Sequence, residues 1–386
     1  MIPAARLSAA IEILDRVLGG AAIDPCLTNW GRANRFAGSG DRAAIRDLVF
    51  EAWRCKRSFA ALGGGETGRG LMLGWVRATG QDEASLFNAI GHAPGLVTQA
   101  DAARPATELQ SLDCPDWLAP RLQQSLGAHF APVMTALRTR APVVLRVNTA
   151  RISRPDAQAL LASEGIETAV HPLAGTALLV TTSTRKIPIT KAYLEGFVEL
   201  QDAASQAVIE ALPLADGQRV LDFCAGGGGK TLALAARADV AVWAHDADAT
   251  RMRDLPARMG RAKAKVTLTT TPAQDGPFDL VLADVPCSGS GSWRRDPAGK
   301  WSLTETRLIE LLAIQARILD QVAPLVGPKG VLGYVTCSLL ADENQHQIGH
   351  FLQRHAGWQD IGSRSFTPLS GGDGFFLSIL GRNEKQ

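Results

Sequence analysis

The chain has 386 residues, too many for one ordinary hydrophobic core, so two or three domains are expected. Hydrophobic residues at 46% and charged residues at 20% exclude a disordered chain, and a formal net charge of +2 excludes holding a polyanion by the overall field alone. Six scattered cysteines without a C-x-x-C pair (Cys26, Cys55, Cys114, Cys224, Cys287, Cys337) exclude a disulfide framework and a zinc knuckle, and point to free thiols in a reducing compartment.

The opening stretch MIPAARLSAAIEILDRVLGG carries charges inside its apolar pattern, so neither a signal peptide nor a membrane span is expected, and a cytoplasmic location follows. Leu7, Ile11, Leu14 and Leu18 lay an apolar stripe on a helix that Gly19 and Gly20 should end. A second stripe, Ile45, Leu48, Val49, Ala52 and Trp53, follows Asp41 as an expected N-cap. Residues 32–57 carry seven basic side chains against three acidic ones, and residues 251–266 carry six against one. Each run reads first as a solvated helix face and second as an RNA contact. Helical patterns continue to about Leu137, giving an all-helical domain over residues 1–140.

The period then changes. PVVLRVNTA, IETAVHP and TALLVTTS are strand-like and RPDAQALLASEG is helix-like, which predicts a small α+β domain over residues 141–200. From Gln201 to the end, over residues 201–386, strand and helix signals alternate, which predicts an α/β, Rossmann-like domain built on a parallel sheet. Its strands are expected at Arg219 to Phe223, Val240 to His245, Val266 to Thr269, Phe278 to Ala283 and Gly330 to Thr336. Ligands of such sheets bind beyond the carboxyl ends of the strands.

At the first of those ends stands LDFCAGGGGKT, Leu221 to Thr231. A phosphate-binding P-loop would need glycine where Cys224 stands, and a dinucleotide fingerprint started at Gly226 meets Thr231 at its last position. The glycines still permit close backbone approach. Asp222 ends the first strand and Asp246, 24 residues on, ends the second, a position suited to gripping ribose hydroxyls. The pattern points to a nucleoside cofactor without phosphate, such as S-adenosylmethionine. The plain alternative is a turn whose glycines serve packing alone.

ADVPCSGSGSWRRDP follows the fourth strand and YVTCSLLADEN the fifth. Ends of neighbouring strands lie about 5 Å apart, so Cys287 and Cys337 are expected in one crevice beside Asp284. Either cysteine alone would read as an inert buried thiol.

LDFCAGGGGKT, ADVPCSGSGSWRRDPAGKW, YVTCSLLADEN and GGDGFF, in this order, resemble the Sun (Fmu) family of RNA 5-methylcytosine methyltransferases. The likeness extends upstream through LRVNTARISR and LQDAASQ, and the helical first segment resembles the NusB-like RNA-binding domain of bacterial members; the middle domain is then RRM-like. The resemblance implies that S-adenosylmethionine is held by Asp222, Cys224, Ala225, Gly226, Gly227, Gly228, Lys230, Asp246, Arg251 and Asp284. It implies Cys337 as the nucleophile that adds to carbon 6 of cytosine, Cys287 as the residue that assists release, and Asp284 and Lys230 as groups at the base. The target must be single-stranded or flipped out. Arg294, Arg295 and Lys300, with Trp293 and Trp301 interleaved, then read as phosphate and stacking contacts. Ribosomal RNA is the expected partner, with transfer RNA or an inactive RNA-binding relative as alternatives, and a monomer is expected. A nucleotide hydrolase using Lys230 and Thr231, and a DNA cytosine methyltransferase with its nucleophile in the P-C motif, are the rivals.

The loop departs from the family's usual A-P-G-G-K-T, and no acid follows the third strand in TTTPAQDGPFD, where Thr271 or Gln274 would have to substitute. His346, His350 and His355 read as helix residues rather than metal ligands. Cys26, Cys55 and Cys114 read as structural, Cys224 as packed under the loop, and Asp373 as a turn residue.

Overall fold

The structure is a computed structural model that describes residues 1–383. The chain divides into two compact units, Met1–Arg140 with Trp293–Ser302, and Ala141–Ser292 with Leu303–Gln386.

The first unit is helical, with helices Pro3–Leu18, Ile23–Ala33, Ser39–Arg54, Lys56–Leu62 and Gly68–Ala78 and shorter ones as far as Phe130–Leu137. Leu7 and Leu14 of the first stripe and Ile45, Val49 and Ala52 of the second are buried in one core, with Ala10 and Ile13 at the centre of the first helix's inner face. Gly19 closes that helix and Gly20 takes a φ of +97°, as the glycine pair predicted. Asp41 is not the N-cap of the third helix. Gly38 holds that place, and Asp41 lies inside the first turn, where its carboxylate accepts from Arg6 Nε at 2.9 Å. An acid there also meets the positive end of the helix dipole.

The segment Trp293–Ser302 belongs to this helical unit, although its neighbours in sequence lie in the other. Ala298 and Trp301 pack on the helical core, Lys300 Nζ donates to the Arg54 carbonyl at 2.9 Å, and the Trp301 indole donates to the Trp53 carbonyl at 2.7 Å.

The second unit holds two sheets. The smaller one is antiparallel, built from β1 (Val144–Val147), β2 (Thr168–Val170), β3 (Ala177–Val180) and β4 (Val198–Leu200) in the order β2-β3-β1-β4. The larger is seven-stranded: β5 (Arg219–Asp222), β6 (Ala241–Ala244), β7 (Val266–Leu268), β8 (Phe278–Asp284), β9 (Val326–Thr336), β10 (Trp358–Phe366) and β11 (Phe375–Arg382), in the order β10-β11-β9-β8-β5-β6-β7. Strands β5 to β9 run parallel, and β11 is antiparallel between β9 and β10. The inner strands are apolar in succession, as strands covered on both faces must be: β8 is buried at five of seven positions, with apolar clusters on the two sides of the sheet. The order reverses between β5 and β8, and such a switch point opens the crevice in which ligands of these sheets bind. The expected Rossmann-like architecture is the one observed.

Candidate active site

Strands β8 and β9 are neighbours, with Asp284 in register with Val335, so the segments that follow them leave the sheet side by side. The two half-buried thiols of Cys287 and Cys337 face each other there, Sγ to Sγ at 3.4 Å. A hydrogen bond from Cys287, against the cost of burial and with help from Lys230 and Ser292, brings the Cys337 thiol below its ordinary range. The same bond, with burial and the neighbouring charge, pushes Cys287 well up. Either sulfur can donate across this contact, and the directions of the two shifts favour Cys287 as the donor and Cys337 as the sulfur with thiolate character.

Backbone contacts hold the two loops in this pose. Gly291 N–H donates to the Cys337 carbonyl at 3.0 Å, and Gly374 N–H donates to the Gly291 carbonyl at 2.8 Å. A Cβ on Gly291 would lie 2.1 Å from the Gly374 oxygen, so only glycine admits this approach.

Next to the thiols, Lys230 Nζ donates to Asp284 Oδ2 at 2.7 Å and stands 5.0 Å from the centre of the Phe375 ring. Burial opposes the ammonium charge, but the Asp284 carboxylate outweighs it and holds Lys230 above its ordinary range. Lys230 is the second residue of the helix Gly229–Arg237, whose N-cap Gly228 takes a φ of +81° and packs against Leu255. From the smaller sheet, Arg146 on β1 reaches the Gly229 carbonyl at 2.6 Å and Gln201 Oε1 at 2.5 Å. That explains why LRVN and LQD accompany the glycine loop in sequence.

At the end of β5, Asp222 is buried with Oδ2 accepting from Thr231 at 2.6 Å, while Oδ1 has no hydrogen-bond partner. Burial pushes this carboxyl up to about 7. A buried acceptor left without a donor costs stability, so a ligand carrying an amino group fits the place. Asp246, after β6, accepts from Gly226 N–H at 2.9 Å and from Asp248 N–H at 3.0 Å, and pairs with the exposed Arg251 at 3.2 Å. Gly226 and Gly228 both take positive φ, Ala225 N–H donates to the His245 carbonyl at 2.9 Å, and Gly227 is exposed. Burial pushes the Cys224 thiol far up, which leaves it inert. A turn of glycines, one orphaned acid oxygen and a second acid fit a nucleoside cofactor with an amino acid tail. After β7, Thr269 donates to Asp275 at 2.5 Å, while Thr271 and Gln274 are exposed.

The residues expected to touch RNA beside the thiols need correction. Arg294 is 4% and Lys300 1% exposed, and burial brings the Lys300 ammonium down to about 8. Trp293 is buried and the Trp301 indole bonds to Trp53. Side chains as enclosed as Arg294, Lys300 and Trp293 cannot reach a phosphate, and with the half-buried Trp301 they hold the segment inside the helical unit; of the group, Arg295 is exposed. Among the described residues no group of three or more His, Cys, Asp or Glu side chains is arranged to hold a metal ion, and no helix is long and apolar enough to cross a membrane. His355 bonds to Asp320 at 2.8 Å.

Two further residues, Phe375 and Glu343, stand at the site without belonging to any of the motifs' expected functional positions. GGDGFF reads as a turn, yet it delivers Phe375 to Lys230; the aromatic pair after the glycines was the available signal. Glu343, in the last part of YVTCSLLADEN, is completely buried between the two cysteine loops.

Comparison with known proteins agrees with this geometry. Residues 209–380 match the family 16S rRNA methyltransferase RsmB/F, and residues 114–185 match the ferredoxin-like domain of RsmF/B-like methyltransferases. The chain is 37% identical over 284 residues to ribosomal RNA small subunit methyltransferase B of Erwinia tasmaniensis, covering 69% of this chain and 66% of that protein. To the protein of the same name from Photorhabdus laumondii it is 33% identical over 314 residues, covering 74% and 72%. These alignments thus span about two thirds of the relatives' length. A methyltransferase homolog protein from Pyrococcus horikoshii, known from its crystal structure, superposes with a TM-score of 0.63 at 25% identity over 72% of this chain and 98% of that one.

Proposed function

The chain belongs to the RsmB/F family of 16S rRNA methyltransferases, and from that premise we propose that it methylates carbon 5 of a cytosine in small-subunit ribosomal RNA through a covalent adduct with Cys337. The observation that carries the reading is the pair of thiols 3.4 Å apart, beside the Lys230–Asp284 ion pair at the switch point of the sheet.

Carbon 5 of cytosine is a weak nucleophile, and a thiolate added at carbon 6 makes it enamine-like. Cys337 has the lowered thiol, so its Sγ forms the bond to carbon 6 and the ring electrons move toward carbon 5 and nitrogen 3. Asp284, fixed by Lys230, accepts from the exocyclic amino group and orients the base, while the ammonium offsets the charge that develops on the ring. Asp222 would hold the amino group of S-adenosylmethionine and Asp246 its ribose, with the turn from Cys224 to Gly228 against the nucleoside. When bound, that cofactor supplies the methyl group. Once Cys337 is bonded to carbon it no longer accepts the Cys287 hydrogen bond nor carries charge, so the largest cause that keeps Cys287 protonated disappears, although its burial remains. Cys287 can then lose its proton to solvent and take the one from carbon 5, and the carbon 6–sulfur bond breaks, its electrons leaving with the Cys337 sulfur as the carbon 5–carbon 6 double bond re-forms. This chemistry needs a base outside a helix, hence single-stranded or flipped RNA, and a ribosomal substrate places the protein in the cytoplasm.

Replacing each cysteine separately tests the roles. Cys337→Ala should abolish methyl transfer and adduct, and Cys287→Ala should accumulate a denaturation-resistant protein–RNA complex. An adduct made by Cys337→Ala but not by Cys287→Ala would exchange the roles. Mapping methylcytosine in total RNA with and without the protein identifies the substrate, and a mark in transfer RNA alone, or none anywhere, would overturn the ribosomal assignment.

A further inference from the structure

Between the two cysteine loops lies a carboxylate that takes no part in the chemistry above. Glu343 Oε1 accepts from the Ser288 backbone N–H at 2.8 Å and from Gln315 Nε2 at 3.0 Å. Its Oε2 accepts from the Ser288 hydroxyl at 2.5 Å and, closer still, from the Ser338 hydroxyl. Ser288 and Ser338 are the residues immediately after Cys287 and Cys337. A third hydroxyl, Ser290, lies 3.1 Å from each of the other two and accepts from Leu339 N–H at 2.8 Å. The backbone of Glu343 is itself fixed, because the buried Tyr334 hydroxyl donates to its carbonyl at 2.7 Å.

We propose that Glu343 is a positioning residue whose carboxylate ties the residue after Cys287 to the residue after Cys337, and so sets the separation of the two thiols for adduct formation and release. The proposal rests on Cys337 and Cys287 acting as nucleophile and releasing residue. Glu343 hydrogen-bonds to the serines and not to either sulfur, so it positions the thiols through them, and its charge in addition helps hold the Cys287 thiol up. Four donor hydrogens converge on its two oxygens, and an ionised carboxylate, which only accepts, can receive them all. An amide of the same shape would turn its own N–H groups toward donors and leave one side of the clamp unbonded. Hydrogen bonds weaken steeply with distance and angle, so a small parting of the loops is enough to break the thiol pair.

The test is Glu343→Gln in the full chain, with Cys287→Ala and the double variant beside it. Iodoacetamide alkylation of Cys337, followed across pH by peptide mass, reads the thiol directly and needs neither RNA nor cofactor. Glu343→Gln should move the Cys337 midpoint up toward that of Cys287→Ala, and adding Cys287→Ala should move it no further. The rate of methyl transfer should fall about a hundredfold, as expected for a misplaced reacting group, with RNA and cofactor binding unchanged. An unmoved midpoint in folded Glu343→Gln, or shifts that simply add in the double variant, would overturn the proposal. Should Glu343→Gln fail to fold, Ser338→Ala removes one donor and leaves the carboxylate in place; a smaller rise in the midpoint supports the clamp, and none overturns it. Failure of the methyltransferase reading looks different: the unaltered protein would then make no methylcytosine while the alkylation pattern stood.

Discussion

Asp222 has the strongest reason to depend on a ligand. Burial raises its carboxyl to about 7, and the Thr231 hydrogen bond only partly opposes this. In the ligand-free fold it keeps a proton that the unfolded chain gives up in the ordinary carboxylate range. The folded state therefore binds more protons between that range and about pH 7, and its stability declines as pH rises through this window, levelling above it. Asp222→Asn stays neutral and can still accept from Thr231, so the ligand-free variant should melt higher than the unaltered protein at about pH 8 and no higher at about pH 4. The ammonium of S-adenosylmethionine would favour the ionised acid. The same variant should therefore bind the cofactor more weakly, and binding to the unaltered protein should strengthen as pH rises through about 7. Calorimetric melting and equilibrium dialysis at the two pH values check both halves; a variant that melts lower at the higher pH would show that the orphaned oxygen is not a burden.

At the level of elements, the loops after β8 and β9 owe their pose to backbone contacts that only one residue type allows. Gly291→Ala would set a methyl group against Gly374 atoms that are all backbone, at 2.1 to 2.6 Å, so the loop must move. Overpacking of this kind costs about 1–3 kcal/mol, measurable by urea unfolding, and here it also breaks the bond from Gly291 to the Cys337 carbonyl. Methyl transfer should fall further than stability does; full activity in the variant would show that the contact does not govern the thiols. These elements also mark where sequence reading succeeds. Alternating apolar runs place β5 to β9, and once β8 and β9 are taken as neighbours in a parallel sheet Cys287 and Cys337 are expected together although 50 residues separate them. Glu343 was illegible for a local reason: in LLADEN an acid ahead of a helix looks like a solvated residue, and three of its four donors come from residues 28 and 55 positions away. The same applies to WRRDPAGKW. Its charges read as an exposed basic loop because composition says nothing of Arg54, whose carbonyl receives Lys300 and whose guanidinium donates to the Arg294 carbonyl at 2.8 Å.

On the scale of the whole chain, that segment means the polypeptide leaves the second unit after Ser292, only five residues past Cys287, contributes a piece of the helical unit, and returns at Leu303. The stability of the helical unit thus depends on a stretch of the catalytic sequence, and the buried ammonium of Lys300 makes the dependence measurable. Burial lowers Lys300 from 10.5 to about 8, so above that pH the folded state sheds a proton that the unfolded chain retains. Stability should therefore rise with pH from about 8, with a slope of about 1.4 kcal/mol per pH unit at most. Cys55 and Cys114 act in the opposite sense, because burial raises both thiols from 9.0 to about 11, and the folded state holds protons there that the unfolded chain loses. The rise should consequently turn over above about pH 9 as the two thiols outweigh the one amine. Lys300→Met keeps the length of the side chain and removes the titration, so its helical unit should show no gain between about pH 8 and 9 and only the decline beyond. Urea unfolding of the full chain followed by tryptophan fluorescence, which Trp53, Trp293 and Trp301 report from inside that unit, distinguishes the two curves. Equal slopes for both proteins over that interval would mean that the Lys300 ammonium is better solvated than its enclosure implies.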